Sequence, residues 1–286
     1  MYSTKLDTIP GRKLLGIIMG RIGIYVDAVN VTMNGGYGLR YDVLRKFATR
    51  CGGAASRLNV YLSYDEDRLQ NDHDYRKKTH RFCDMLRDFE YKVTEKPLIT
   101  YNNHETGEKI TKSTIDMDMA VDMMVHSDYL DKIILLTSNG SYVSVVNALQ
   151  NKGCKVEVVG FEHVSMGLKK AADSYVSGYL IPGLLPVDTP YPWGKAGSRV
   201  RGICYDFSTH DGYGFMRFLT DSSDHLWITD SRDDESPFKT VFAHISQFEE
   251  GLDMNHLPNR DYIFEFDVVQ NEKGFVAENI VLVNGH

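Results

Sequence analysis

The chain has 286 residues, 42% of them hydrophobic and 25% charged, with a formal net charge of -7. These proportions are those of a globular protein of one large or two ordinary domains, and they exclude a disordered, collagen-like or disulfide-dense chain. No apolar run is long enough to span a bilayer, so no membrane partner is expected. Along the chain, a short buried strand is predicted at residues 23–26, with Ile22, and a second at 59–64. Phe82, Met85, Leu86 and Phe89 recur at helical spacing and predict a helix over 74–89. A strand follows over 91–99, a helix over 116–126 and a strand over 132–136. Tyr142, Val145, Val146 and Leu149 give the next helix one apolar face, and Gly153 is placed to end it. Residues 155–161 are the last clear strand of this half. Such alternation implies a mainly parallel sheet with helices on both faces.

Residues 179–198 hold four prolines and three glycines and read as a linker. Beyond them the pattern changes to short strands separated by turns, at 200–207, 212–219, 226–230, 240–245, 263–269 and 278–283. A compact all-β barrel fits their length and order. Charge changes at the same place. Residues 1–180 carry 24 Lys and Arg against 22 Asp and Glu, a net of +2, whereas 199–286 carry 7 against 16, a net of -9. The expected organisation is therefore 1–180, a linker over 181–198, and 199–286. Cys51, Cys83, Cys154 and Cys204 are far apart and match no zinc or disulfide spacing, so they read as reduced thiols of a cytoplasmic protein. The apolar stretch near the start is broken by Gly20 and Arg21 and lacks a cleavage site, so no signal peptide is expected. No internal repeat is present.

Parallel sheets bind ligands in loops at the carboxyl ends of their strands. Asp27 and Asn30 fall just beyond the first strand. Asp116 falls at a helix start, with Asp118 and Asp122 inside that helix, one turn apart on one face, and Met117, Val121 and Met124 as its apolar stripe. Carboxylates converging from separate elements would bind Mg²⁺ or Mn²⁺, which prefer hard oxygen ligands. The plainer reading makes Asp116 a helix cap and the other two a solvated face, and composition alone favours it. Asn34 to Gly38 (NGGYG) lacks the Lys-Ser/Thr of a phosphate-binding loop and reads as a flexible loop.

The stretches GIYVDAVNV, STIDMDMAVDMM, DKIILLTSNGSYVSVVNALQNKGCKVEVVGF and LKKAADSYV resemble, in order and spacing, the successive motifs of the NYN (LabA-like) domain, a branch of the PIN-like nuclease superfamily. The resemblance covers roughly residues 21–178. It implies a three-layer α/β/α sandwich and a Mg²⁺- or Mn²⁺-dependent ribonuclease. By motif position it assigns metal and catalytic roles to Asp27, Asp116 and Asp122, with Asn30 as an accompanying substrate contact. Asp173 matches a frequent position that is structural. The family pattern in the mid-chain turn resembles S-G-D-G-D-F, where this chain reads Thr137-Ser138-Asn139-Gly140-Ser141-Tyr142. Asn139 thus stands where a third catalytic aspartate is expected. An amide oxygen can ligate a metal but brings no charge, so the site would be weakened. Asp118 is a compensating ligand in this reading, and Lys112 and Ser138 are further substrate contacts.

In the second half, GICYDFSTHDGYGFMRF and VFAHISQF put aromatics on two barrel strands. Tyr213 and Phe215 point the same way, as do Phe242 and His244. Such rings either stack unpaired bases or fill a small barrel. The stretch 200–283 resembles a cold-shock domain, an OB-fold that binds single-stranded RNA or DNA. That resemblance carries Phe207, Tyr213, Phe215, Phe242 and His244 over as base-stacking residues. Three departures weaken it: Asp211 where lysine is common, Asp206 where an aromatic is common, and an acidic insertion over 221–239 in place of a short hairpin. The leading expectation is a metal-dependent endoribonuclease whose OB-fold holds single-stranded RNA. The alternatives are an RNA-binding regulator with an impaired centre, or an acidic barrel that binds protein. A homodimer is compatible with either. Phosphatase chemistry of the DxD kind is disfavoured, because Val29 occupies the second acidic position.

Overall fold

The computed structural model describes residues 20–102, 109–222, 225–272 and 274–284. The start of the chain, for which no signal peptide is expected, lies outside the described residues up to residue 19. The first half runs β1 (Arg21–Asp27), α1 (Ala28–Met33), α2 (Tyr41–Ala48), β2 (Ala54–Tyr64), α3 (Glu66–Asn71), α4 (His73–Asp88), β3 (Lys92–Pro97), β4 (Ile99–Asn102), β5 (Lys109–Lys112), α5 (Ile115–His126), β6 (Lys132–Leu136), α6 (Val143–Asn151), β7 (Lys155–Gly160), α7 (Met166–Ala171) and β8 (Ser174–Ser177). The second half runs β9 (Arg199–Ser208), β10 (Tyr213–Leu219), β11 (Phe238–His244), β12 (Asn259–Asn271) and β13 (Gly274–Asn284).

Six strands form one parallel sheet in the order β3-β2-β1-β6-β7-β8, and β4 and β5 form a small antiparallel pair. Central strands with both faces covered read as continuous apolar runs, which is why IGIYV and IILL are buried throughout. One face packs on α1 and α2 through Val31, Tyr41, Leu44 and Phe47. The other packs on α5, α6 and α7 through Met119, Met123, Val146, Leu149 and Leu168. Gly153 ends α6 at a φ of 84°, which a side chain would resist. The second half is a closed five-stranded barrel, β10-β11-β13-β12-β9, with the strand order of an OB-fold. The fold is therefore a PIN-like three-layer α/β sandwich joined to an OB-like barrel.

Several sequence expectations change. The strand expected over 91–99 stops at Pro97, opposite Tyr64 at the end of β2, and a new strand begins at Ile99. The short β8 was not expected. Residues 226–230 form no strand: 226–227 are a turn, and Ile228 after it is buried. On α5 the buried stripe is Ile115, Met119 and Met123, whereas Met117 and Val121 are exposed. The proline-rich segment does not hang free. Tyr179, Ile181, Leu184 and Leu185 are buried in the same cluster as the sheet, and that cluster also takes in Ile203 and Ile263 of the barrel. Among the described residues no helix is long and apolar enough to cross a membrane.

Candidate functional site

The carboxyl edge of the parallel sheet carries a small polar cluster. Asp27 is the last residue of β1 and is 5% exposed. One carboxylate oxygen accepts the Asn30 backbone N–H at 3.1 Å and so caps α1. The other accepts the Thr137 hydroxyl at 3.4 Å, from the end of the neighbouring strand. Asp116 lies in the first turn of α5, half-buried, and reaches the same edge from the helix layer. It does not cap its helix; Ser113 Oγ accepts the Ile115 N–H instead, at 3.2 Å. Tyr142 closes the cluster from behind, its hydroxyl donating to the Asp116 carbonyl at 3.4 Å.

The electrostatics follow from burial. Desolvation pushes the Asp27 carboxyl up to about 6, and the nearby Asp116 charge adds to the rise. Desolvation also raises Asp116. The Tyr142 hydroxyl is raised too, by burial first and then by both carboxylates. The groups bonded to the two acids are neutral: an amide N–H, Thr137 and Asn139.

Asn139, expected as a weakened ligand, is hydrogen-bonded at both ends of its amide. Its Oδ1 accepts the Ser141 N–H at 2.9 Å, and its Nδ2 donates to Asp116 Oδ2 at 3.1 Å. Reversing the amide would set two donors against each other at Ser141, so the orientation is fixed by the turn. The amide thus offers a hydrogen to Asp116 rather than an oxygen to a cation.

Asp27, Asp116 and Asn139 come together, but two of the helix acids do not join them. Asp122 accepts the hydroxyl of the buried Tyr61 at 2.7 Å. Asp118 pairs with Lys96 at 2.5 Å. Among the described residues no three His, Cys, Asp or Glu side chains gather into a metal-holding group. The charged donors at the edge are therefore two carboxylates, hard oxygen ligands of the kind Mg²⁺ and Mn²⁺ take. Asn30 Oδ1 accepts the Ser138 N–H at 2.7 Å, and the Ser138 hydroxyl donates to the Glu162 carbonyl, so both stiffen the turn. Lys112 is exposed at the end of β5. Asp173 accepts the Val156 N–H at 2.7 Å, a structural role. Sequence reading missed Thr137 and Tyr142 as neighbours of the acids; neither residue type signals such a contact without the fold.

On the barrel, Tyr213, Phe215, Phe242 and His244 form one patch. The antiparallel register pairs Tyr213 with His244 and Phe215 with Phe242. Tyr213 stacks on Phe242 with centroids 5.6 Å apart, and Phe215 meets Phe242 edge-on. Between the two outward rings, a Cβ on Gly214 would lie 2.2 Å from the Asp206 carbonyl, so only glycine lets β9 and β10 approach here. Phe207 is not part of this surface. It is 8% exposed and packs edge-on against Phe248 in the barrel core.

A family model described as NYN domain matches residues 21–183, more than half of the chain. The chain belongs to the NYN domain family. The matched stretch takes in β1 through β8 and runs into the buried segment at Ile181. A crystal structure of a protein of unknown function from Vibrio parahaemolyticus is similar to this chain at 22% identity, covering 57% of this chain and 94% of that one, with a TM-score of 0.45. No match is found among curated proteins. The NYN domain thus supplies the acidic edge, and the OB-like barrel supplies the ring patch.

Proposed function

We propose that the protein is a divalent-metal-dependent nuclease acting on single-stranded RNA, with the barrel as the strand-holding part. The observation that carries this reading is the meeting of Asp27 and Asp116 at the carboxyl edge of an NYN sheet. Both acids resist ionisation there, and only neutral groups bond them. Asp27 and Asp116 would hold Mg²⁺ or Mn²⁺, and Asn139 would orient Asp116. When bound, such an ion supplies positive charge against a scissile phosphate and a more acidic water. The likeness of the barrel to a cold-shock domain supports stacking of bases on Tyr213, Phe215, Phe242 and His244, at roughly 1–3 kcal/mol per base. Single-stranded DNA would fit the same patch.

One observation favours a second reading, an RNA-binding regulator with an impaired centre: Asn139 gives Asp116 a hydrogen where the family motif has an acid. Cleavage assays with Mn²⁺ separate the two. Under the nuclease reading, wild-type protein cuts single-stranded RNA and both Asp27→Ala and Asp116→Ala abolish cutting. Cutting that survives both changes belongs to a contaminant. An inactive wild type that gains cleavage in Asn139→Asp supports the regulator instead.

A further inference from the structure

A cavity of about 990 Å³ lies between the sheet and the barrel, along the edge strand β8 and the first residues of β6 and β7. Lys132 and Lys155, the first residues of β6 and β7, open onto it, as does Ser174, the first of β8. From the barrel side it receives Arg217 of β10 and Arg260 of β12. The described residues lining it include six basic and three acidic side chains, in a chain whose net charge is -7. The acids are engaged. Glu157 is buried between Arg50, at 2.7 Å, and Lys132. Asp261 pairs with Lys169 at 2.8 Å, and Asp173 accepts the Val156 amide. Lys155, Arg217 and Arg260 have no carboxylate partner among the described residues. Arg217 donates one N–H to the Thr229 carbonyl, while its buried Nε has no partner at all. Burial lowers the Arg217 guanidinium, and the Arg260 charge adds to the lowering. Two like charges facing one cavity mark a place for an anion.

The anion's chemistry is indicated by what surrounds these charges. Side chains alternate along β10, so Tyr213, Phe215 and Arg217 share its outward face while Gly214, Met216 and Phe218 are buried inward. On β11 the partners of Phe215 and Arg217 are Phe242 and Thr240, followed by Phe238, which lines the cavity. The ring patch and the cavity therefore lie along one face of the barrel, with Arg217 and Thr240 between Phe242 and Phe238. At its far wall stands Trp227, 77% exposed, delivered by the acidic insertion together with Leu226. Aromatic rings beside guanidinium and ammonium groups that lack a carboxylate partner among the described residues suit a nucleotide unit, with base on ring and phosphate on cation. At this volume the cavity has room for one or two such units.

We propose that this cavity is a second nucleic-acid site, which takes the nucleotides that follow those stacked on the barrel patch and binds their phosphates through Arg217, Arg260 and Lys155. The site rests on the barrel's holding a single strand and is independent of cleavage.

The test uses the full chain in EDTA, so that no cutting occurs, with a single-stranded RNA of about 12 nucleotides, long enough to exceed the patch. Binding is followed by calorimetry and tryptophan fluorescence. Arg260→Glu and Lys155→Glu, both at exposed positions, should each weaken binding at least tenfold, while the control Lys78→Glu on α4 changes it less than twofold. RNA should quench fluorescence, and Trp227→Phe should remove most of that quench. Wild-type binding that Phe242→Ala weakens, but that neither cavity change nor Trp227→Phe alters, would overturn the cavity and leave the barrel reading intact. If the wild type binds no RNA, the barrel reading fails, and AMP and ATP are titrated against the same variants. Nucleotide binding lost in Arg260→Glu then supports a free-nucleotide site of the same chemistry, and no binding overturns it.

Discussion

Asp27 is held in a state that opposes its own charge. Its carboxyl is pushed up to about 6, chiefly by burial, against an ordinary value of 3.8. Folding therefore favours the protonated form, and the sign of the pH dependence follows. Above pH 6 both folded and unfolded chains are ionised and the folded state carries the full cost. As pH falls from 6 to 3.8 the folded chain takes up its proton first, and the cost disappears. The shift corresponds to about 3 kcal/mol as an order of magnitude. Asp27→Asn, which can still accept the Asn30 N–H, should thus raise the melting temperature at pH 7.5 in EDTA, with a smaller gain at pH 5. A neutral-pH loss of stability in that variant would mean the carboxylate is not under such stress. The two acids at this edge were legible in the sequence, because each follows a clear strand or helix boundary. The partner of Asn139 was not. Residue type says that an amide can ligate, but only the turn's hydrogen bond to Ser141 turns its oxygen away. Asp118 and Asp122 were grouped by helical spacing, which cannot say that Lys96 and Tyr61 stand opposite them.

At the scale of elements, α5 shows where periodicity has too little contrast. Its sequence, IDMDMAVDMMVH, is apolar on nearly every side. Two stripes compete: Met117, Val121 and Met124 in the sequence reading, and Ile115, Met119 and Met123 in the fold. The register is decided by the strands beneath, which present Tyr25, Ile133 and Leu135. Met117, Val121 and Val125 are left more than half exposed. Truncation should separate the two stripes. Met119→Ala leaves a cavity in the core and should cost about 2–4 kcal/mol in urea unfolding. Met117→Ala should stay within about 0.5 kcal/mol. Equal losses at both positions would mean that the exposed stripe is covered in solution. By contrast, β1, β6 and α6 were readable because their apolar runs and the glycine stop admit one arrangement. β8 was not, since four residues ending in serine carry little pattern.

At the scale of the molecule, composition separates two parts, yet packing ties them. The dense prolines and glycines of 179–198 signal turns and predict a linker. Instead Ile181 and Leu184 are 1% and 0% exposed, in the same cluster as Ile203 and Ile263 of the barrel. Arg201 adds a bond to the Pro186 carbonyl and lies over the Tyr179 ring. Removing either half would leave this apolar seam in water, so the two should lose structure together. Two probes report on them separately. Among the described residues all seven α-helices lie before residue 172, so ellipticity at 222 nm follows the sheet half. Both tryptophans lie after it: Trp193 donates its indole N–H to the Leu219 carbonyl of β10, and Trp227 stands beside the barrel. Thermal or urea unfolding should give coincident midpoints by the two signals. Ile203→Glu, which puts a charge into the seam, should lower both signals' midpoints together or split them, with the tryptophan transition moving first. Well-separated midpoints in the wild type would show that the seam carries too little energy to couple the halves, and that the barrel moves relative to the acidic edge of the sheet.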